Sequence, residues 1–100
     1  MRPPLMTDTE ILAELAKLPG WSLDSGNLHR TYACKDFVDA FGKMASVALC
    51  AEAMNHHPEW SNVWNRVNFH LSTHDAGGIT KLDFELAEKI QKIFANQAQR

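Results

Sequence analysis

The run over residues 36–56 constrains this chain more than any other stretch. Phe37, Phe41, Met44, Ala48 and Ala51 recur at three- and four-residue steps, and Ala40, Val47 and Leu49 widen the apolar surface. The pattern predicts a helix with Asp36 as its cap. Pro58 disfavours helix at His57 and so places the helix end near His56. A helix this apolar belongs in the middle of the fold, crossing a sheet. Glu52 and His56 would then sit at its far end, one turn apart on the same face. Burying a large apolar side chain is worth ~1.5–3 kcal/mol, so Phe41→Ala is expected to harm folding before it harms chemistry.

Short amphipathic pieces surround this helix. Thr7-Asp8-Thr9-Glu10 offers caps for a helix carrying Ile11, Leu12, Leu15 and Leu18, stopped by Pro19-Gly20. Trp21-Ser22-Leu23 and residues 28–32 alternate on either side of Asp24-Ser25-Gly26-Asn27, which predicts a β-hairpin. Beyond Pro58 the period becomes two. Trp60, Asn62 and Trp64 share one parity, and Val67, Phe69 and Leu71 point inward from the next strand after a turn at Asn65-Arg66. Thr80 opens a last helix with Asp83 as a capping-box variant and Leu82, Leu86, Ile90, Ile93 and Phe94 on its apolar face. The tail over residues 97–100 is expected to fray.

The element order is therefore α-β-β-α-β-β-α. The predicted fold class is α+β, a four-stranded antiparallel sheet with three helices packed on one face. One hundred residues suffice for one such domain, spanning 1–100 with 1–6 as a mobile end. The helix-free face is expected to be polar or an oligomer interface, with Trp60, Trp64 and Phe84 contributing to it. At least a dimer is expected.

Composition works by exclusion. A net charge of -2 and no Lys/Arg cluster give no electrostatic reason for direct nucleic-acid binding. No apolar run is long enough to span a bilayer, and the first residues lack a signal peptide's apolar segment. A cytoplasmic protein with no membrane partner is expected, its Cys34 and Cys50 reduced and engaged in packing.

Three of the five histidines fall where the chain leaves regular structure: His56 and His57 after the long helix, and His74 at a strand end before Asp75-Ala76-Gly77-Gly78. Imidazole titrates near neutrality and serves as acid or base, and Glu52 is spaced to orient His56. Trp60 offers a flat wall for an aromatic ligand. Taken alone, His56-His57 would read equally well as helix-end residues answering the helix dipole. His29 and His70 read as solvated strand residues. Zinc is the sharper chemical competitor, since three histidines and Glu52 could hold it. Against it, adjacent histidines point apart and no predicted helix carries a His-x3-His pair to place two ligands on one face, the one such spacing, His70 to His74, falling on a predicted strand.

Glu52-x3-His56-His57-Pro58, Trp60, Trp64-Asn65, Ser72-Thr73-His74 and Asp83, with Leu18-Pro19-Gly20-Trp21 near the start, resemble the signature of the pterin-4a-carbinolamine dehydratase family, also known as a dimerisation cofactor of a homeodomain transcription factor. The likeness runs through roughly the whole chain. It implies a dehydratase that removes water from 4a-hydroxytetrahydropterin to give quinonoid dihydropterin, in tetrahydropterin recycling after an aromatic amino-acid hydroxylase has acted. No metal and no other cofactor is implied. The resemblance assigns catalysis to His56, His57 and His74 and pterin contacts to Glu52, Asn55, Trp60, Ser72 and Thr73. The expected partners are the pterin, further copies of the chain as a homodimer or homotetramer, and a pathway link to such a hydroxylase.

Asn55 stands where the family pattern commonly has Asp, and the lost charge predicts a reduced rate or a shifted pH optimum. Trp64 stands where Tyr often precedes Asn, keeping a ring and losing a hydroxyl. A reading from another class is a non-catalytic binding module or assembly/coactivator protein on the same fold. Retention of Glu52, His56, His57 and His74 favours the enzyme.

Overall fold

The structure, a computed structural model, describes residues 3–95. Its elements follow the expected order: α1 (Asp8–Leu15), β1 (Ser22–Asp24), β2 (Asn27–Ala33), α2 (Phe37–Met54), β3 (Glu59–Val63), β4 (Arg66–Leu71), a 3-10 turn (His74–Ala76) and α3 (Lys81–Ala95). The strands form one antiparallel sheet in the order β1-β2-β4-β3, with the three helices on one face.

Local chemistry accounts for the boundaries. The Thr7 hydroxyl accepts from Glu10 N at 3.1 Å while the Glu10 carboxylate accepts from Thr7 N at 2.8 Å, a complete capping box at the head of α1. Ser25 and Gly26 take φ of 53° and 82°, the left-handed pair whose twist joins antiparallel strands through two residues. Asp36 caps α2 by accepting from Asp39 N at 2.8 Å. Within the N-terminal stretch expected to be mobile, Met6 N donates to Ile79 O at 3.0 Å and its side chain packs against the core. The frayed tail expected over 97–100 lies outside the described residues.

Strand alternation sorts the two sheet faces. Leu28, Tyr32, Val67, Phe69 and Leu71 point inward and are buried, closed over by Leu86, Ile90 and Phe94 of α3. Phe69 is the hub, with the rings of Trp21, Tyr32, Trp60 and Phe94 at 6.3, 6.1, 5.8 and 5.8 Å. The helix-free face carries His29, Thr31, Ser61, Asn68 and His70, aligned by the register and polar, as one of the two expectations had it. Burial pushes the Cys34 thiol pKa up, which keeps it in the unreactive protonated form, and both cysteines are free. No helix of the described residues is long and apolar enough to cross a membrane.

Three expectations are corrected. In α2 the buried residues are Ala40, Val47 and Ala51, whereas Phe37, Phe41 and Leu49 are 46%, 55% and 74% exposed. The helix is apolar on two sides, and periodicity alone does not say which side meets the sheet. Small residues face it, letting the helix lie close, and the large ones turn outward, so Phe41 is not a core residue of the single chain. Trp60 has inward parity and packs on Phe69, and Phe84 is buried on α3, so neither contributes to the helix-free face. The turn before β4 falls at Trp64-Asn65, with Trp64 at φ 49°, and Arg66 already belongs to the strand.

Candidate active site

The site begins at the end of α2. Asn55 adopts φ 52° and ψ 42°, a left-handed conformation that Asn tolerates better than most residues. Its N–H donates to Glu52 O at 3.0 Å and His56 N–H donates to Ala51 O at 3.0 Å, the paired bonds of a Schellman ending. The helical phase breaks here. His56 is consequently carried inward, to 4% exposure, while His57 is left in solvent.

His56 meets Asp83, a carboxylate with no solvent exposure on the first turn of α3. His56 Nε2 lies 2.6 Å from Asp83 Oδ1, and Asp83 Oδ2 accepts from the Thr73 hydroxyl at 2.9 Å and from Thr80 N at 2.9 Å. The hydroxyls of Thr73 and Thr80 are 2.7 Å apart. Counting protons orients this network. Thr73 spends its only hydroxyl proton on Asp83, so Thr80 must donate to Thr73, and the carboxylate, an acceptor, requires the His56 proton on Nε2. No hydrogen bond joins Nδ1 to another described residue, and the ring borders a cleft.

The expected pairing of Glu52 with His56 is corrected. Glu52 Oε1 lies 2.8 Å from His57 Nε2, and both side chains are more than half exposed, so the pair contributes little to stability. Glu52 would meet His56 only in a helix continuous to that residue, and the turn at Asn55 shifts the partner by one residue. Asp83, read from sequence as a cap, does cap α3 through Thr80 N, but it also anchors His56. The one sequence signal for that second role was its place in the family pattern.

The third imidazole is set by the loop after β4. Thr73 N donates to Gly78 O at 2.8 Å and Gly77 N to Thr73 O at 3.0 Å, with Gly77 in the left-handed region at φ 82°. The closed loop presents His74 to solvent at the start of the 3-10 turn. His56, His57, Ser72, Thr73, His74 and Asp75 line one cleft of about 180 Å³. That is below the ~300–1,000 Å³ typical of enclosing ligand sites, so the cleft can grip one edge of a bicyclic ring and leave the remainder in solvent.

Of the predicted site residues, His56, His57, Ser72, Thr73 and His74 converge on this cleft. Glu52 reaches it only through His57, Asn55 is the exposed turn that aims the imidazoles, and Trp60 packs on Phe69 outside the lining. Asp75 joins the wall unforeseen. A larger cavity of about 410 Å³ lies between α1 and α3, lined in part by Glu10, Glu14, Glu85 and Glu88, with no histidine, cysteine or hydroxyl side chain. Volume and chemistry disagree here. Three converging imidazoles, one of them held by the Asp83 network, make the smaller cleft the candidate site.

Residues 4–93 match the Pterin 4 alpha carbinolamine dehydratase family. The chain belongs to that family. A relative from Solibacter usitatus, provisionally named a pterin-4-alpha-carbinolamine dehydratase, is 51% identical over 90 residues, covering 90% of this chain and 95% of its own. A similarly named relative from Prochlorococcus marinus is 46% identical over 94 residues, 94% of this chain and 98% of its own. A crystal structure from Brucella melitensis, described as a transcriptional coactivator/pterin dehydratase, superposes with a TM-score of 0.86 at 43% identity, covering 89% of this chain and 97% of that one. The carbinolamine dehydratase fold thus frames the cleft, and both named relatives extend over nearly the whole of it.

Proposed function

We propose that this chain dehydrates 4a-hydroxytetrahydropterin to quinonoid dihydropterin by general acid-base catalysis. The observation that carries the reading is the convergence of His56, His57 and His74 with Ser72 and Thr73 on one open cleft. The reaction breaks the C4a–O bond and removes a proton from the ring N–H, so it needs a donor at the departing oxygen and an acceptor at nitrogen. His56, held by Asp83 with Nε2 protonated, offers Nδ1 as that acceptor. His57 and His74, both in solvent, supply the proton that leaves with the oxygen as water and recover one from bulk. Ser72 and Thr73 border the ring edge. The chain's own side chains balance the reaction, in line with a site that uses no metal or other cofactor. The product requires reduction before reuse, which fits recycling after a tetrahydropterin-dependent aromatic hydroxylation.

The test is dehydration of 4a-hydroxytetrahydropterin followed by ultraviolet absorbance, comparing wild type with His56→Ala and His74→Ala, each checked for folding. Acceleration over buffer that is lost in folded variants supports the reading. A wild-type rate equal to buffer overturns it and leaves the non-catalytic module.

The outward side of α2 supports an oligomer within the same reading. Phe37, Val38, Phe41 and Leu49 form an exposed apolar stripe, with the rings of Phe37 and Phe41 5.6 Å apart. A second copy of this helix is a complementary cover, giving a homodimer or homotetramer. Sedimentation analysis of Phe41→Glu should show the assembly dissociate, and an unchanged mass would place the contact elsewhere. The exposed stripe also suits the alternative of an assembly or coactivator module.

A further inference from the structure

The helix-free sheet face carries a second group of converging ligands that shares no residue with the cleft. Asp24 on β1, His29 on β2 and His70 on β4 each bring one ligand atom to within 4.8 Å of the other two. Sheet pairing puts them there: His29 is the register partner of His70, and Asp24 lies two residues from Ser22, the partner of His29 on the other side. Side chains at such positions share one face, so the arrangement is fixed by the three strands and not by mobile loops.

One distance fits a shared cation better than it fits a direct contact. His70 Nε2 and Asp24 Oδ2 are 3.4 Å apart, long for a charge-assisted hydrogen bond. In a tetrahedral site with bonds of about 2.0–2.1 Å, neighbouring ligand atoms stand about 3.3–3.4 Å apart. The imidazoles of His29 and His70 overlap face to face, ring centroids 4.4 Å apart and planes inclined by 30°. With one nitrogen of each already within 4.8 Å of the carboxylate, rotation of the two rings about their Cβ–Cγ bonds would aim both at one point beside it. Two imidazoles and a carboxylate form the donor set of borderline divalent ions such as zinc, and three protein ligands leave a position open to solvent. Hard ions such as calcium and magnesium call for oxygen ligands and are poorly served.

We propose that Asp24, His29 and His70 form a binding site for a divalent transition-metal cation of the zinc type on the helix-free face. The site is independent of the dehydratase reading. Its test is titration of the full chain, without a polyhistidine tag, with zinc chloride in a calorimeter, alongside Asp24→Asn, His29→Gln, His70→Gln and a His57→Gln/His74→Gln control. The expected result is one zinc per chain in wild type and control, with each single variant at the site weaker by about tenfold or more, since even outer partners of metal ligands cost ~10–100-fold. No zinc uptake by wild type overturns the proposal. So does uptake that survives loss of His29 and His70 but fails in the control, which would move the cation to the cleft. Histidine ring resonances of wild type, recorded with and without zinc, localise the ion without any variant: changes at His29 and His70 support the site, and changes confined to His56, His57 and His74 refute it.

Discussion

Asp83→Asn changes one atom of the buried acceptor that fixes His56 and leaves its shape intact. The carboxylate takes protons from His56 Nε2 at 2.6 Å, from the Thr73 hydroxyl at 2.9 Å and from Thr80 N at 2.9 Å. An amide has one oxygen for these roles. Thr80 N–H belongs to the backbone and cannot turn away, so the amide oxygen stays at the Oδ2 position and the NH₂ faces His56. The imidazole then keeps a bond only by moving its proton from Nε2 to Nδ1. The atom offered to the cleft changes from acceptor to donor. Three hydrogen bonds survive, but charge-assisted bonds worth ~1.5–3 kcal/mol become neutral ones worth ~0.5–1.5 kcal/mol, a loss of about 1–1.5 kcal/mol at each. For a domain of this size that lowers Tm by roughly 4–8 °C per kcal/mol.

The rate should fall much further than stability, by about 10²–10⁴-fold if His56 is the base. Asp83→Ala is a cruder change. It strands the buried donors of His56, Thr73 and Thr80 and should cost ~3–5 kcal/mol, a large share of the ~5–15 kcal/mol that holds a domain together. Calorimetry gives the stability, ring-nitrogen NMR reads the His56 tautomer directly, and ultraviolet absorbance gives the dehydration rate. A folded Asp83→Asn protein with the proton still on Nε2 and a wild-type rate would refute the reasoning and reduce Asp83 to a helix cap.

Further perturbations probe the surroundings. Asn55→Val forces a β-branched residue into the left-handed turn and should cost ~1–2 kcal/mol in urea denaturation, whereas Asn55→Gly should cost far less. Val47→Ala, at a position with no exposure, should lose about 2 kcal/mol, while Phe41→Ala should leave the stability of the isolated chain nearly unchanged and instead weaken self-association in sedimentation. Hydrogen bonds from Lys43 Nζ and from Lys35 N hold the Asp39 carboxyl below the usual carboxylate range. Because its folded pKa is the lower one, this stabilisation is complete above the unfolded value of about 3.9 and is lost as pH falls through the folded value. The advantage of wild type over Asp39→Asn in thermal melts should therefore close on acidification below about pH 4.

The fold was legible because local signals agreed. Thr7 and Asp36 cap, Ser25-Gly26 turns, and parity within each strand sorts inside from outside. The facing of α2 was not legible, since a helix with two apolar stripes meets the sheet with whichever side permits closer approach, and only the partners decide that. At the site, the histidines could be singled out because they cluster at element ends, but their carboxylate partners could not be assigned. The partner of His56 lies 27 residues away on another helix, and the partner of His57 follows from a left-handed turn that no periodicity encodes. His29 and His70 carried no signal when read singly, because their proximity exists only through the β2–β4 register.

One set of bonds both stabilises the end of the fold and aims the ring of His56. Thr73 closes the loop after β4, Thr80 heads α3, and both meet on Asp83, so the elements cannot separate without releasing His56. Asn55 completes the device from the other side by stopping α2 where consecutive imidazoles diverge, one into this network and one into solvent. A buried imidazole on a fixed partner keeps a defined tautomer, and exposed ones exchange protons with water freely. The proposed elimination of water would draw on both kinds, an acceptor that is always ready and donors that are quickly reloaded. A continuous helix through His56 would have put Glu52 and His56 together in solvent and left Asp83 without its histidine, which is why the residue that ends the helix matters as much to the chemistry as the residues that follow it.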